Sequence, residues 1–263
     1  MRELGSIRIF YVHYNTGRYE KKSRDPSKQR PAGFTYQNCF DNLLLSIRQS
    51  AHKSRVHLTI WFDGNEDDFN HDFISKALPS DISHQIIIAE FRNGTRSCWT
   101  LVDYISNSKF KPNDLIYCLE NDYNHRLHWL DSVVEIATSS IEFDYLSLYD
   151  HNDNYTLPIH RNHHIQLSYT ESQIWKTGLS TCWSFLSWFS VFSEDRNLLR
   201  SNEDFVLFVK LCTIGRRLLI SVPGLSTHCM VGYESPAIDW QAVRSKVSQT
   251  CTTIASSVKE QSD

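Results

Sequence analysis

Apolar positions fall into short runs separated by polar turns, and the period inside the runs switches between two and about 3.6. Ile7 to His13 has strand character, and Tyr14-Asn15-Thr16-Gly17 ends it. From Thr35 the spacing becomes helical, because Phe40, Leu43, Leu44 and Ile47 share one face. Val56 to Phe62 alternates as a second strand that stops at Asp63-Gly64. The following Glu66-Asp67-Asp68 reads as a helix N-terminus, where carboxylates suit the helix dipole. Ile86 to Phe91 is a third strand, with Arg92 to Arg96 as its turn, and Ser97 to Ile105 is a helix with Trp99, Val102 and Ile105 on one face. Leu115 to Leu119, apolar throughout, is a fourth strand expected to be buried on both faces.

Four strands alternate with three helices, which predicts an α/β fold with a mostly parallel sheet and helices on both sides. The pattern continues with a helix from His128 to Ala137 and a strand from Tyr145 to Leu148, ending at Tyr149-Asp150-His151. Residues 152–170 are the least regular and, with His151, hold His160, His163 and His164. No Cys or acid stands at zinc-ligand spacing among them, so they read as an ordinary polar loop. Gln173 to Ser180 and Cys182 to Phe192 are dense in aromatics, including Trp175, Trp183, Trp188 and Phe189. Such density marks a core or a subunit interface and leaves an oligomer open. Ser201 to Asp204 opens a helix carrying Phe205, Leu207, Phe208 and Leu211, and Arg216 to Val222 is a strand whose following loop delivers His228. Residues 1–240 form a single domain in this pattern, and 241–263 a C-terminal helix or disordered tail.

Composition narrows the classes. Hydrophobic residues make up 41% of 263, enough for a sizeable core. A net charge of −3 argues against holding nucleic acid by bulk electrostatics. Seven cysteines, an odd number mostly in apolar stretches, read as reduced thiols and a cytoplasmic setting. No apolar stretch is long enough to span a bilayer, and the N-terminal run is too short for a secretory signal.

The chemistry concentrates at the end of the fourth strand. Glu120-Asn121-Asp122 places two carboxylates where a buried run stops, and acids crowded in a low-dielectric crevice repel one another unless a cation joins them. Oxygen ligands of this kind suit magnesium or manganese, with phosphate oxygens completing the shell. Asp63 stands just past the second strand, facing the crevice where open α/β sheets bind ligands. Residues 18–33 form a basic loop with two prolines, either a solvated surface or a place where Arg24, Lys28 or Arg30 touches phosphates.

In the order of these features the chain resembles the nucleotide-sugar glycosyltransferases of the GT-A fold, family 2 type, over roughly residues 7 to 230. Glu120-Asn121-Asp122 matches the family's Asp-x-Asp-like motif, Glu203-Asp204 its catalytic acidic pair, and His228 its C-terminal metal histidine. The resemblance implies a GT-A-like (Rossmann-like) mixed sheet and a metal-dependent, inverting transfer of sugar to a hydroxyl of a carbohydrate or other acceptor. Glu120, Asp122 and His228 would then hold Mn2+ or Mg2+, and Asp204 would be the base. Asp63, Arg92, Asn93, Arg96 and Asn121 would contact the nucleotide-diphosphate sugar. Two positions depart from the family: the motif starts with Glu rather than Asp, and an aromatic run replaces the polar acceptor loop. Each main residue also has a plainer role open to it, Asp122 and Asp204 as helix caps and His228 as a loop histidine bonded to backbone. A nucleotidyltransferase on a related sheet, or a non-catalytic carbohydrate-binding or scaffold protein, are the other functional expectations.

Overall fold

A computed structural model describes residues 3–14, 29–161, 163–201 and 203–260, with side chains described as far as Thr250. Arg24 and Lys28 therefore lie outside the described residues. The first strand, β1 (Ile7–Tyr14), is the spine of the parallel half. It pairs in parallel with β2 (Val56–Asp63) on one side and β4 (Leu115–Glu120) on the other, and β3 (Ser83–Ile88) extends the sheet beyond β2. Tyr14 is in register with Asp63, and Val12 with Glu120, so polar residues of three strands finish along one edge. Their order in the chain forces this, because each strand must be followed by a helix that returns it to the same starting edge.

Two of those helices form where the sequence pattern places them, and the one after the third strand starts at Gly94, earlier than the Ser97 start that the pattern predicts. Helix α1 (Tyr36–Gln49) starts at Thr35, whose Oγ1 accepts from the Asn38 amide at 2.9 Å, and buries Phe40, Leu43, Leu44 and Ile47. Helix α2 (Gly94–Ser106) starts at Asn93, and the short acidic helix Glu66–His71 is closed by a reciprocal Asn65–Asp68 capping box. Helix α3 (Trp129–Thr138) buries Trp129, Val133 and Ile136.

The second half of the sheet departs from simple alternation. Strand β6 (Tyr145–Ser147) does not join β4 directly, because β9 (Phe185–Trp188) inserts between them, antiparallel to both. Beyond β6 lie β10 (Leu218–Val222), β8 (Ile174–Gly178) and β7 (Leu167–Tyr169), giving among the described residues nine strands ordered β3-β2-β1-β4-β9-β6-β10-β8-β7. The aromatic run is therefore core: Trp175, Phe185, Trp188 and Phe192 are buried. A separate ribbon pairs β5 (Tyr123–His125) with β11 (Ser226–His228).

Three boundaries differ from the sequence pattern. The third strand runs from Ser83 and stops at Ile88, because the Phe91 and Arg92 amides turn away to the Asp63 carboxylate at 3.0 and 2.8 Å. The region 152–170 contains strand β7, whose exposed Leu167 and Tyr169 give no inward apolar signal. The last helix, α5 in the numbering that makes α4 Asp204–Thr213, spans Trp240–Glu260. It packs Trp240, Arg244 and Val247 inward, and Asn38 of α1 bonds to its Arg244 carbonyl and Ser248 hydroxyl. Among the described residues no helix is long and apolar enough to cross a membrane.

Candidate active site

Asp122 follows β4 by two residues and is fixed from both sides. The β5–β11 ribbon sets His228 opposite Tyr123, and the Cys229 amide donates to the Asp122 carbonyl at 2.8 Å. His228 Nε2 lies 3.0 Å from Asp122 Oδ2, with its ring stacked on Tyr123 at a centroid distance of 5.2 Å. The guanidinium of Arg30 approaches the same Oδ2 at 3.0 Å, while Oδ1 is buried without a hydrogen-bond partner among the described residues. Sequence reasoning required a cation beside these acids; in the structure Arg30 and His228 supply positive charge there.

The charges act on one another. Burial pushes the His228 imidazole down, but the bond to Asp122 and the charges of Asp122 and Glu120 outweigh it, so its pKa is raised. Burial opposes ionisation of Asp122, but His228 and Arg30 outweigh it and hold the carboxyl below its ordinary value. Neither the helix-cap reading of Asp122 nor the backbone-bonded reading of His228 describes these contacts.

Asp204, later in the chain, lies close enough to His228 for their charges to interact. It is the first residue of α4, held by the buried Leu207, Phe208 and Leu211, and its Oδ2 accepts from the Trp183 amide at 3.2 Å. Burial raises its pKa to about 6, and the charge of His228 partly offsets the rise. The adjoining Ser184 Oγ accepts from the Glu120 amide at 3.1 Å, and the Cys182 thiol feels Glu120, Asp204 and Asp122 together. Residues 182–184, entering β9, thus tie the end of β4 to the start of α4. Glu120 and Trp183, with Val12, Tyr14, Cys98 and Leu119, line a small pocket of about 30 Å³.

The remaining sequence candidates lie apart. Asp63 is 1% exposed, with Oδ1 committed to the Phe91 and Arg92 amides and Oδ2 buried without a partner among the described residues. Asn93 caps α2 by accepting from the Arg96 amide. Arg92 is half exposed beside Glu90 and Asp68, and Arg96 stands over the Phe91 ring. Asn121 turns to structural work: its Nδ2 donates to buried His13 Nδ1 at 3.1 Å, which directs the His13 Nε2 proton to Asp72. Asp63→Ala would leave two loop amides without their acceptor, so we expect a loss of about 2 kcal/mol, measured by urea unfolding. Asp63→Asn keeps Oδ1 and is expected to lose less than half of that.

Sequence reasoning did not single out Lys176 or Tyr155, and it read His151 only as part of a polar loop of histidines. Lys176 is buried on β8 and donates to Asp150 at 2.8 Å, while Tyr155 bonds to both, fixing the segment after β6. The cue was a lone cation at an inward position of an aromatic strand. His151 lies against Tyr149 and Tyr233, and burial lowers its pKa. Cys182 and Trp183 were read only as members of the aromatic run.

No family model matches the sequence, and no curated protein matches it. Solved structures match by fold. GalNAc-T7 with UDP, GalNAc and Mn2+ is 11% identical with a TM-score of 0.52, covering 89% of this chain and 46% of that one. A putative glucose-1-phosphate thymidylyltransferase from Bacillus anthracis, in complex with a sucrose, is 11% identical with a TM-score of 0.51, covering 92% and 95%. TarS 1-349 from S. aureus with UDP-GlcNAc is 11% identical with a TM-score of 0.46, covering 82% and 55%. The chain spans about half the length of these two glycosyltransferase structures. The sheet and its flanking helices have a GT-A-like, Rossmann-like fold, shared with the GalNAc-T7 structure. Nucleotidyltransferases share that fold.

Proposed function

We propose that the chain is an inverting glycosyltransferase that moves a sugar from a nucleotide-diphosphate donor to a hydroxyl of a carbohydrate or other acceptor. The observation that carries this reading is Asp204, a carboxylate made more basic by burial, to about 6, and within electrostatic reach of His228. A base for a hydroxyl proton must be ionised near neutrality yet more basic than an exposed carboxylate. The Trp183 amide fixes Oδ2 and so orients the group. As the acceptor oxygen bonds to the anomeric carbon, the bond from that carbon to the diphosphate breaks and its electron pair leaves with the phosphate. The hydroxyl proton passes to Asp204.

The residues at the end of β4 fit a divalent ion. Asp122 Oδ1 is an unpartnered buried acceptor among the described residues, and a carboxylate with an imidazole is a donor set that manganese accepts. Among the described residues no three His, Cys, Asp or Glu side chains form a complete cage, so donor phosphates would complete the shell. Asp122 and His228, with Glu120 nearby, would hold manganese or magnesium, which supplies charge neutralisation for the departing diphosphate. On this reading buried Asp63, in register with Tyr14, holds the loop amides of Phe91 and Arg92 and does not itself touch the nucleotide.

The fold match to a thymidylyltransferase over nearly both chains favours nucleotidyl transfer as a second reading. A sugar phosphate attacks as an anion and needs no base such as Asp204. His13 to Gly17 also offers one glycine where that class carries a glycine-rich phosphate loop.

Thermal unfolding with UDP or GDP and manganese, separately and together, tests the proposal. An enzyme of this kind is stabilised by the pair, by about 2.7 kcal/mol at a hundredfold excess over Kd. A protein that ignores every combination is a scaffold with this fold, and the proposal fails.

A further inference from the structure

Arg30 is the one sequence candidate from the basic loop that the structure describes, and its place is unexpected. Its guanidinium does not face open solvent to await a phosphate. It donates to the Cys229 carbonyl at 2.9 Å and to the Tyr36 hydroxyl at 3.2 Å, lies over the Phe34 ring at 4.7 Å, and reaches Asp122 Oδ2 at 3.0 Å. The Val231 amide bonds to the Gln29 carbonyl at 2.9 Å, pinning the backbone beside it to the segment after β11. A guanidinium on this carboxylate and a divalent ion on the same carboxylate repel each other, because both are cations within a few ångströms.

We propose that Arg30 is a placeholder for the metal ion: it neutralises Asp122 in the ligand-free protein and moves to the donor's diphosphate when the ion takes its place. The inference rests on the proposed metal and diphosphate reading of the site. The chemistry of arginine suits both positions, since its planar fork binds carboxylate and phosphate alike. The Cys229 carbonyl and Tyr36 hydroxyl hold the head group near the site in either state, so the move is a short swing. The consequence is coupling. The metal expels Arg30 from Asp122, the diphosphate receives it, and each ligand removes an obstacle to the other. Metal and nucleotide diphosphate therefore bind with positive cooperativity, and by linkage the factor is the same in both directions.

Manganese binding followed by electron paramagnetic resonance, with and without UDP or GDP, tests this in the wild type, Arg30→Gln, Arg30→Lys and Asp122→Asn. Arg30→Gln is expected to bind manganese alone at least tenfold more tightly than the wild type and the diphosphate alone more weakly. Its coupling between the two falls by tenfold or more. Arg30→Lys, which keeps the charge and loses the fork, falls between them, and circular dichroism verifies that each variant is folded. If Arg30→Gln binds manganese no more tightly than the wild type while Asp122→Asn loses it, the metal site stands and the placeholder role is wrong. If the wild type binds no manganese even with the diphosphate, the metal reading itself fails and the inference with it.

Discussion

Asp204→Asn is expected to lower sugar transfer by about 10²- to 10⁴-fold, the range for removing a general base. Donor binding should stay within about twofold, because the amide keeps an oxygen for the Trp183 N–H and the β4 end is untouched. The assay pairs turnover with nucleotide binding by calorimetry; equal loss of both would make Asp204 structural. Wild-type turnover should fall as pH drops through about 6, where Asp204 protonates, and the variant's residual rate should lack that limb. Stability moves the other way. The folded pKa of Asp204 is raised from 3.8, so the fold is favoured below pH 3.8 and loses that advantage as pH rises through about 6. Asn carries no charge to desolvate, so the variant should be more stable than the wild type at pH 8 by about 1 to 2 kcal/mol and should lose that margin near pH 4. A base that costs the fold stability at its working pH is what a catalytic role predicts.

Asp122→Ala should be the most damaging change in stability and activity together. It removes the anion shared by Arg30 and His228 and leaves two cationic groups facing each other at side-chain exposures of 27% and 22%. Deleting one partner of a buried pair costs about 3–5 kcal/mol, and partial exposure here reduces this to about 2 to 3. The pH dependence has a defined sign. His228 is raised above 6.5, so its contribution is complete below pH 6.5 and is lost as pH rises through its folded value. Asp122 is depressed below 3.8, so its contribution is complete above pH 3.8 and is lost as pH falls through its folded value. The wild type should therefore gain most from the pair between about pH 4 and 6.5, and Tm against pH for the variant should lose that plateau. Metal-stimulated donor hydrolysis should drop by about 10³-fold; unchanged hydrolysis would end the metal assignment.

The parallel half was legible because its elements are local and periodic. Ile7 to His13, Val56 to Phe62 and Leu115 to Leu119 are apolar runs ended by polar turns, and strands β1, β2 and β4 occupy them within a residue. Thr35 and Asn65 stood where the helices were expected to begin and cap them within three residues, whereas Asn93, read as part of a turn, proved to be a cap as well. The insertion of β9 between β4 and β6 was not legible, because pairing partners about 70 residues apart leave no periodic trace in a single sequence. Strand β7 was hidden for a different reason, since an edge strand with exposed Leu167 and Tyr169 lacks the inward alternation that marks a strand.

Asp122, Asp204 and His228 were singled out by their order along the chain; the structure pairs Asp122 with His228, while Asp204 bonds to the Trp183 amide, one residue from the Ser184 hydroxyl that meets the Glu120 amide. Asn121 and Asp63 were legible as polar residues at strand ends. Their burial and their commitments to His13 and to the loop amides depend on neighbours that only the folded chain supplies. Arg30 belonged to a basic loop whose partner lies 92 residues away, a distance over which sequence carries no charge-pairing signal.

The seam made by β9 divides the molecule's capacity to change. On one side of it lie the parallel strands that carry Asp63 and Glu120, and on the other the buried cluster of Lys176, Asp150 and Tyr155. Substitutions in that cluster leave untouched the pairing that sets the ends of β1, β2 and β4, so the two halves of the sheet are free to diverge at different rates.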